Sequence, residues 1–357
     1  MVGAAMSGAE QSWEAQADAV GVWPLRAPTP APTLSVTVLN YNYGGYLRQC
    51  LDSILAQTFA DFEVIVIDDC STDNSLEVIQ PYLRDPRVRL VAHAKNVGYS
   101  GSLIEGTERH SSGDFVMVIS ADDMVRRRDA FARQLELFAA HPDAAFCFSG
   151  YDKFASENGE VLHRQRSYEG DRVLPGPVFL REYLTRQRVQ VLHSGTMLRK
   201  SAYERAGGYR RDLRITLDLA MWPVLSLQGD VLYCDADLYA YRAHDAQMSS
   251  SFRKQHANFV EVMKSVEGAM DEAARHGVPV GSLRDAAVRY SLFAVAVDDA
   301  FSDRRRLALL RCVTALIFRP WLAITSRGLW ITLARLALGE DVYKWCRRRL
   351  KLMVGCE

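Results

Sequence analysis

The sequence lacks the features that define several large classes of protein. Its seven cysteines are scattered and form no CxxC pair, which disfavours a disulfide framework or a zinc site and fits a reducing compartment. It has no uninterrupted run of 18 apolar residues, so we expect no transmembrane helix. No apolar stretch follows a basic start, so we expect no secretory signal. The 43 Lys and Arg residues equal the 43 Asp and Glu residues, and we therefore expect no nucleic acid partner.

Charge is distributed unevenly along the 357 residues. From Asp303 to the end, 12 Lys and Arg against 4 Asp and Glu give a net charge of +8. The last part, Tyr343–Met353, mixes apolar and basic residues as interfacial helices do. A helical subdomain that packs on the body of the chain, or on a second copy in a homodimer, fits equally well. We expect a cytoplasmic protein. If the C-terminal residues form an interfacial helix, we also expect peripheral contact with the inner face of the membrane.

Composition divides the chain into three regions. Residues 1–32 are rich in Ala, Pro, Gly and Ser, which predicts a disordered tail. Residues 33–252 alternate short apolar runs with helical spacing, and residues 253–357 are helical in pattern throughout. We therefore predict a catalytic domain between a tail and an α-helical C-terminal extension.

Four short apolar runs predict parallel strands that are covered on both faces. A segment with apolar residues at helical spacing follows each run, and this alternation of strands and helices indicates an α/β sheet flanked by helices. We expect the region Tyr151–Gln190 to be irregular. The predicted strands are Leu34–Leu39, Phe62–Ile67, Val88–Val91 and Phe115–Ile119, followed later by Ala144–Ser149, Ser194–Leu198 and Val231–Tyr233.

Polar residues follow the first, second and fourth of these strands, and we predict that they form a ligand-binding site. Ligands of open α/β sheets bind outside the carboxyl ends of the strands. Adjacent carboxylates such as Asp122 and Asp123 stay ionised only near a cation or hydrogen-bond donors, and oxygen-rich sites take Mg²⁺ or Mn²⁺. An ordinary acidic turn is the alternative for an isolated Asp-Asp pair.

Four stretches of the chain carry a resemblance to a known family: SVTVLNYNYGGYLRQCLDSILAQTFADFEVIVIDDCSTDNS, KNVGYSGSLIEG, GDFVMVISADDM and HSGTMLRKSAYERAGGYRR. Through them the chain resembles family 2 glycosyltransferases of the GT-A fold over residues 33–250. The resemblance implies a Rossmann-like, mixed and mainly parallel sheet, and an inverting transfer of sugar from a nucleotide-diphosphate donor. The expected donor is a UDP-sugar, with dTDP- and GDP-sugars as open alternatives. The expected acceptor is a hydroxyl of a saccharide or lipid-linked molecule in cell-envelope polysaccharide or glycolipid synthesis.

The resemblance also implies which residues border the donor. A carboxylate that accepts from a pyrimidine N–H would select the nucleobase, and Asp69 is implied in that role. A helix-entry carboxylate is the alternative for Asp69. The other implied donor residues are Asn40, Tyr41, Asn42, Asn96, Gly98, Asp122 and Gly195.

The same resemblance implies a divalent-metal site for Mn²⁺ or Mg²⁺. Asp123 would bind the metal, and Asp122 would contact the metal or the ribose. His244, in the stretch YRAH, would bind the metal or the diphosphate, although a surface histidine is the alternative. Ser120 replaces an Asp that many members carry, which would weaken metal affinity.

Asp218 matches the family's catalytic base, a carboxylate at the start of a helix. Leu217 replaces the Glu that usually precedes it, and a plain helix N-terminal residue is the alternative. His193 would contact acceptor or donor phosphate, and a buried structural histidine fits as well. Two other functions remain open: a degenerate sugar-nucleotide-binding or scaffold protein, and a nucleotidyltransferase, which the absence of a Gly-rich basic loop disfavours.

Overall fold

The structure is a computed structural model that describes residues 19–23, 31–185, 189–244, 257–281, 283 and 327–338. The chain divides into two compact units, residues 1–183 with 187–250 and residues 184–186 with 251–357. The strands of the first unit are β1 (Ala19–Trp23), β2 (Leu34–Asn40), β3 (Phe62–Asp68), β4 (Val88–His93), β5 (Phe115–Ser120), β6 (Met124–Val125), β7 (Ala144–Ala155), β8 (Val161–Gln165), β9 (Arg172–Leu174), β10 (Met197–Arg199) and β11 (Asp230–Ala243).

Helices connect the strands of the first unit and cover its sheet. Among the described residues before 250, the α-helices are α1 (Gly44–Leu55), α2 (Ser75–Ile79), α3 (Gly98–Glu105), α4 (Ala130–Ala140), α5 (Gly176–Thr185), α6 (Lys200–Arg205) and α7 (Leu217–Leu225), and the described α-helices of the second unit are α8 (Ala257–Arg275) and α9 (Arg327–Leu338). A five-residue π-helix, Gly106–His110, continues α3.

The sheet is mixed, with the strand order β1-β4-β3-β2-β5-β10-β7-β11-β6. Strands β4, β3, β2 and β5 are parallel, whereas β10 runs antiparallel to both β5 and β7. The predicted fold class is therefore confirmed. Because the carboxyl ends of the parallel strands share one edge, the polar residues that follow them lie along that edge.

Burial explains why the central strands are continuous apolar runs. Val36 and Val38 pack with Leu47 of α1 in one core cluster. Ile65 and Ile67 belong to a second cluster that includes Leu103 of α3 and Trp222 of α7. Every residue of β2 and β3 is buried, as expected for parallel strands covered on both faces.

A polar ladder crosses this apolar sheet. Glu63 of β3 accepts hydrogen bonds from Ser35 of β2, from Arg89 of β4 and from the backbone and hydroxyl of Ser112. Burial acts to raise the pKa of Glu63, but these hydrogen bonds outweigh it and lower the pKa. The ladder therefore ties three strands to the loop that leads into β5.

Several predicted boundaries are corrected. Part of the expected tail, Ala19–Trp23, forms a strand antiparallel to β4. The region expected to be irregular contains β8, β9 and α5. The predicted strand Val231–Tyr233 is only the start of β11, which continues through bulges near Asp237. The strand predicted from Ser194 begins at Met197, because Gly195 has a φ of +92°, which interrupts an extended strand.

The second unit is helical where the structure describes it, in α8 and α9. In the ranges that the structure covers, every helix is too short or too polar to cross a membrane. The basic stretch Tyr343–Met353 lies outside the described residues, so its membrane role stays a prediction. The boundary between residues 252 and 253 stays a prediction as well.

The Glu63 ladder yields a stability prediction. Glu63→Gln should lower the free energy of unfolding in urea by about 3 kcal/mol or more, because Arg89, whose side chain is 5% exposed, loses its counter-charge in the core. Asp85→Asn is the control, because it breaks the half-exposed pair with Arg87 and should cost under about 1 kcal/mol. Equal losses in the two variants would contradict the ladder's structural role.

Candidate active site

Asp122 and Asp123 lie in the turn after β5, and both are buried. The backbone N–H of Asp123 donates to Ser120 O at 2.9 Å. Ser194 links this turn to the loop before β10: its hydroxyl donates to Asp123 Oδ2 at 2.5 Å and accepts from the Ser120 N–H at 3.1 Å. Two loops that are distant in sequence therefore hold the Asp-Asp pair.

The end of β11 supplies further groups to the pair. Arg242 donates its backbone N–H to Asp123 Oδ1 at 3.0 Å and its Nε–H to the Asp122 carbonyl at 2.8 Å. His244 Nε2 lies 3.0 Å from Asp122 Oδ2, and the Tyr46 ring is 4.9 Å from the His244 ring. The structure therefore brings together all three predicted metal ligands.

The electrostatics of the pair favour a cation. Burial raises the pKa of Asp122, against a hydrogen bond from His244. Burial, and then the charge of Asp122, raise the pKa of Asp123 well above its usual range. His244 Nδ1 is buried and has no hydrogen-bond partner among the described residues. A divalent cation would relieve the repulsion, and two carboxylates with an imidazole form a suitable donor set.

The pair is nevertheless already engaged by protein groups. Both oxygens of Asp123 accept hydrogen bonds, one from Arg242 and one from Ser194. Within the described ranges, no group of three or more His, Cys, Asp or Glu side chains has the geometry of a metal site. The assignment of Asp122, Asp123 and His244 as metal ligands therefore stays a prediction.

Asp69 lies directly after β3 and holds the loop after β4. Its Oδ1 accepts from the Val97 N–H at 2.8 Å, and its Oδ2 accepts from the Gly98 N–H at 2.9 Å. Asn96 donates its side-chain amide to the Asp69 carbonyl at 3.3 Å. Asp69 precedes α2, which begins at Ser75, by six residues. The two N–H groups that it accepts belong to the N-cap and first residue of α3, so its carboxylate also holds the start of that helix, as the helix-entry alternative expects. The structure places Asp69, Asn96 and Gly98 together, and their donor contacts stay a prediction.

His93, at the end of β4, completes this cluster and was missed from the sequence. Its Nδ1 lies 2.9 Å from Asp69 Oδ1, and its Nε2 lies 3.1 Å from Glu105 Oε2. Burial acts to lower the pKa of His93, but the hydrogen bonds and charges of the two carboxylates raise it to about 9. The sequence does contain a signal that points to His93, because it is a polar residue at the carboxyl end of a strand, like the polar residues at the ends of β2, β3 and β5.

The turn after β2 is joined to the loop after β3. Asn40, which is buried, donates to Asp68 Oδ2 at 2.7 Å. Asn42 has a φ of +57°, and its Oδ1 accepts from the Thr72 N–H at 2.8 Å. Tyr41 is 46% exposed, which leaves its ring open to a flat ligand. Asn40, Tyr41 and Asn42 thus lie at the edge where a donor is expected.

Gly195 is required by internal packing. A Cβ on this residue would lie 2.4 Å from the ring of Tyr239, and its φ of +92° is strained for other residues. Its N–H donates to Val118 O, and its carbonyl accepts from Gln134. This packing explains Gly195 without a bound donor, so the contact between Gly195 and a donor stays a prediction.

Asp218 is the second residue of α7 and is half-buried. Its Oδ1 accepts from the Leu219 N–H at 2.8 Å. Burial, and then the charges of Asp218, Tyr209, Asp123 and Asp122, raise the pKa of Tyr99 well above its usual value. The charges of all three carboxylates therefore act on this one side chain.

Sequence comparison identifies the family of this domain. Residues 35–207 match the family described as Glycosyl transferase family 2. The "Uncharacterized glycosyltransferase YibD" of Escherichia coli is 30% identical over 63% of this chain and 65% of its own length, just under two thirds. An E. coli chondroitin synthase is 27% identical over 61% of this chain but only 30% of its own length. Residues 35–207 therefore form a domain of the glycosyl transferase family 2 type.

Two solved structures share the fold. Staphylococcus aureus TarS 1–349, solved with UDP-GlcNAc, has a TM-score of 0.56 at 18% identity and covers 86% of this chain and 92% of its own. The mannosyltransferase PcManGT of Pyrobaculum calidifontis, solved with GDP-Man and Mn²⁺, has a TM-score of 0.51 at 18% identity and covers 93% and 88%. At this identity, the likeness concerns the fold alone.

The raised pKa of His93 predicts a pH dependence of stability. Its pKa is about 9 in the fold against a usual 6.5, so its contribution is complete below about pH 6.5 and is lost as the pH rises through about 9. The free energy of unfolding should fall in this window by up to about 1.4 kcal/mol per pH unit.

His93→Gln should remove this slope in urea unfolding between pH 6.5 and 9.5. His163→Gln, which changes an exposed histidine of β8, should keep the wild-type slope. If wild type and His93→Gln show the same slope, then His93 does not titrate as its neighbours imply.

Proposed function

We propose that this protein transfers a sugar from a UDP-sugar to a hydroxyl of a saccharide or lipid-linked acceptor, with inversion at the anomeric carbon. The observation that carries the proposal is the buried Asp122–Asp123 pair with His244 beside it. The family supports transfer from a nucleotide sugar, and TarS, which shares the fold, was solved with UDP-GlcNAc. The chondroitin synthase relative supports a polysaccharide acceptor, as in cell-envelope synthesis.

Asp218 is the proposed general base. It would take the proton of the acceptor hydroxyl while that oxygen forms a bond to the anomeric carbon. The bond from that carbon to the diphosphate oxygen breaks in the same step, and the nucleoside diphosphate leaves from the opposite face. A single displacement inverts the configuration, and no covalent enzyme intermediate forms.

Asp122, Asp123 and His244 would hold Mn²⁺ or Mg²⁺ in this proposal. PcManGT, which shares the fold, was solved with Mn²⁺. When bound, the cation would supply positive charge to the diphosphate. Ser194 and Arg242 would keep the carboxylates oriented through the hydrogen bonds already described.

The proposal places the protein in the cytoplasm. The basic C-terminal tail supports peripheral contact with the inner face of the membrane, where lipid-linked acceptors are found. A homodimer formed through the helical C-terminal region remains the alternative use of that region.

Asp218→Asn tests the general base. The change should lower kcat by about 100-fold or more, because general-base catalysis contributes at least that much, while the KM for the donor stays within about two-fold, since binding is separate from proton transfer. Asp212→Asn is the control: it neutralises an exposed carboxylate that pairs with Arg210 and should retain activity. An unchanged kcat in Asp218→Asn would exclude Asp218 as the base.

Asp123→Asn tests the metal site by calorimetric titration with UDP, with and without Mn²⁺. Wild-type protein should bind UDP at least about ten-fold more tightly with Mn²⁺, because a cation held by the carboxylates would supply positive charge to the diphosphate. Asp123→Asn should lose this gain, and Asp129→Asn, which changes an exposed residue paired with Arg127, should keep it. Binding that ignores both Mn²⁺ and Asp123→Asn would instead favour a metal-independent or degenerate relative.

A further inference from the structure

The imidazole of His193 lies within hydrogen-bond distance of two tyrosine hydroxyls, one at each ring nitrogen. Its Nδ1 lies 2.7 Å from the Tyr99 hydroxyl, and its Nε2 lies 2.8 Å from the Tyr209 hydroxyl. Trp222 of α7 packs edge-on against the imidazole at 5.5 Å between ring centroids. Burial lowers the pKa of His193, so the ring is neutral near pH 7 and has one donor nitrogen and one acceptor nitrogen.

The chain neighbours of these residues belong to the candidate active site. Tyr99 follows Gly98, whose N–H binds Asp69. His193 precedes Ser194, whose hydroxyl binds Asp123. Trp222 is four residues after Asp218 in α7, so the two lie on one face of the helix. The imidazole therefore connects the start of α3, which binds Asp69, with the loop that carries Ser194 and with α7, which carries Asp218.

The position of Tyr99 follows from the contacts of His193. The Tyr99 hydroxyl meets this imidazole, which lies next to Asp123-binding Ser194 in the chain and packs against Trp222, one turn of α7 after Asp218. In an inverting transfer, the base and the leaving diphosphate lie on opposite faces of the anomeric carbon. The sugar must therefore lie between Asp218 and the Asp122–Asp123 pair, in the region that Tyr99 borders.

We propose that Tyr99, oriented by His193, contacts the sugar that is being transferred. One hydrogen bond joins the Tyr99 hydroxyl to His193, and its remaining hydrogen-bonding position is used by a hydroxyl of the sugar. Tyr99 is thus a specificity-determining residue, and His193 is its positioning residue. The inference rests on the proposed function, because it uses the roles of Asp218 and the Asp122–Asp123 pair.

The test compares Tyr99→Phe with Tyr209→Phe. Each change removes one hydroxyl from one side of the same imidazole, so an effect that is only structural should be shared. Calorimetry would measure the affinities for UDP and for UDP-GlcNAc, UDP-glucose, UDP-galactose and GDP-mannose, and thermal unfolding would monitor the fold. Tyr99→Phe should bind the sugar donor about ten-fold more weakly and bind the free nucleotide as wild type does.

The outcomes separate the inference from the proposed function. Tyr209→Phe should change donor affinity by less than about three-fold, at the lower end of the effect of one hydrogen bond. Equal losses in the two variants, or an equal loss of nucleotide and donor binding in Tyr99→Phe, would overturn the sugar contact and leave the proposed function standing. If wild-type protein binds none of the four donors, the proposed function fails, and the inference fails with it.

Discussion

The candidate site depends on burying two adjacent carboxylates at the end of β5. Removing such charges from water is costly unless hydrogen bonds or a cation compensate. The donors come from residues about 70 and 120 positions later in the chain, Ser194 and Arg242. The antiparallel β10 next to β5, and the path through β7 to β11, bring these residues to the pair. The mixed half of the sheet, in which β7 and β11 are parallel and β10 is antiparallel, therefore completes a site that the all-parallel half begins.

The parallel half solves a similar problem at Asp69 with its own residues. Backbone N–H groups of the loop after β4 and the protonated His93 surround the Asp69 carboxylate. All these groups lie within 30 residues of one another. The two halves of the edge thus differ in how their carboxylates are held: one by contacts of short sequence separation, the other by contacts of long sequence separation.

The sequence alone was sufficient for the central strands and for the carboxylates that follow them, because a buried parallel strand leaves a continuous apolar run and a polar end. It was insufficient for His193, because a lone histidine in HSGT gives no sign that Tyr99 and Tyr209 meet it from segments before and after it. The length of β11 was missed because Asp235 and Asp237 interrupt its apolar pattern and bind Arg166 at the surface. The Ala19–Trp23 strand was missed because it lies within an Ala- and Pro-rich segment, where composition favours disorder.

Strand β1 protects the edge of the sheet, although the composition of its segment gives no sign of this role. It covers the outer edge of β4, and Ala19 pairs with His93. A shortened protein that begins at the first central strand would leave the edge of β4 unpaired, and exposed edges recruit other chains into aggregates. The backbone pairing between Ala19 and His93 would also be lost, which would weaken the contacts around Asp69. Poor solubility of such a shortened protein would then reflect a missing edge strand, and its weak ligand binding would say little about the intact enzyme.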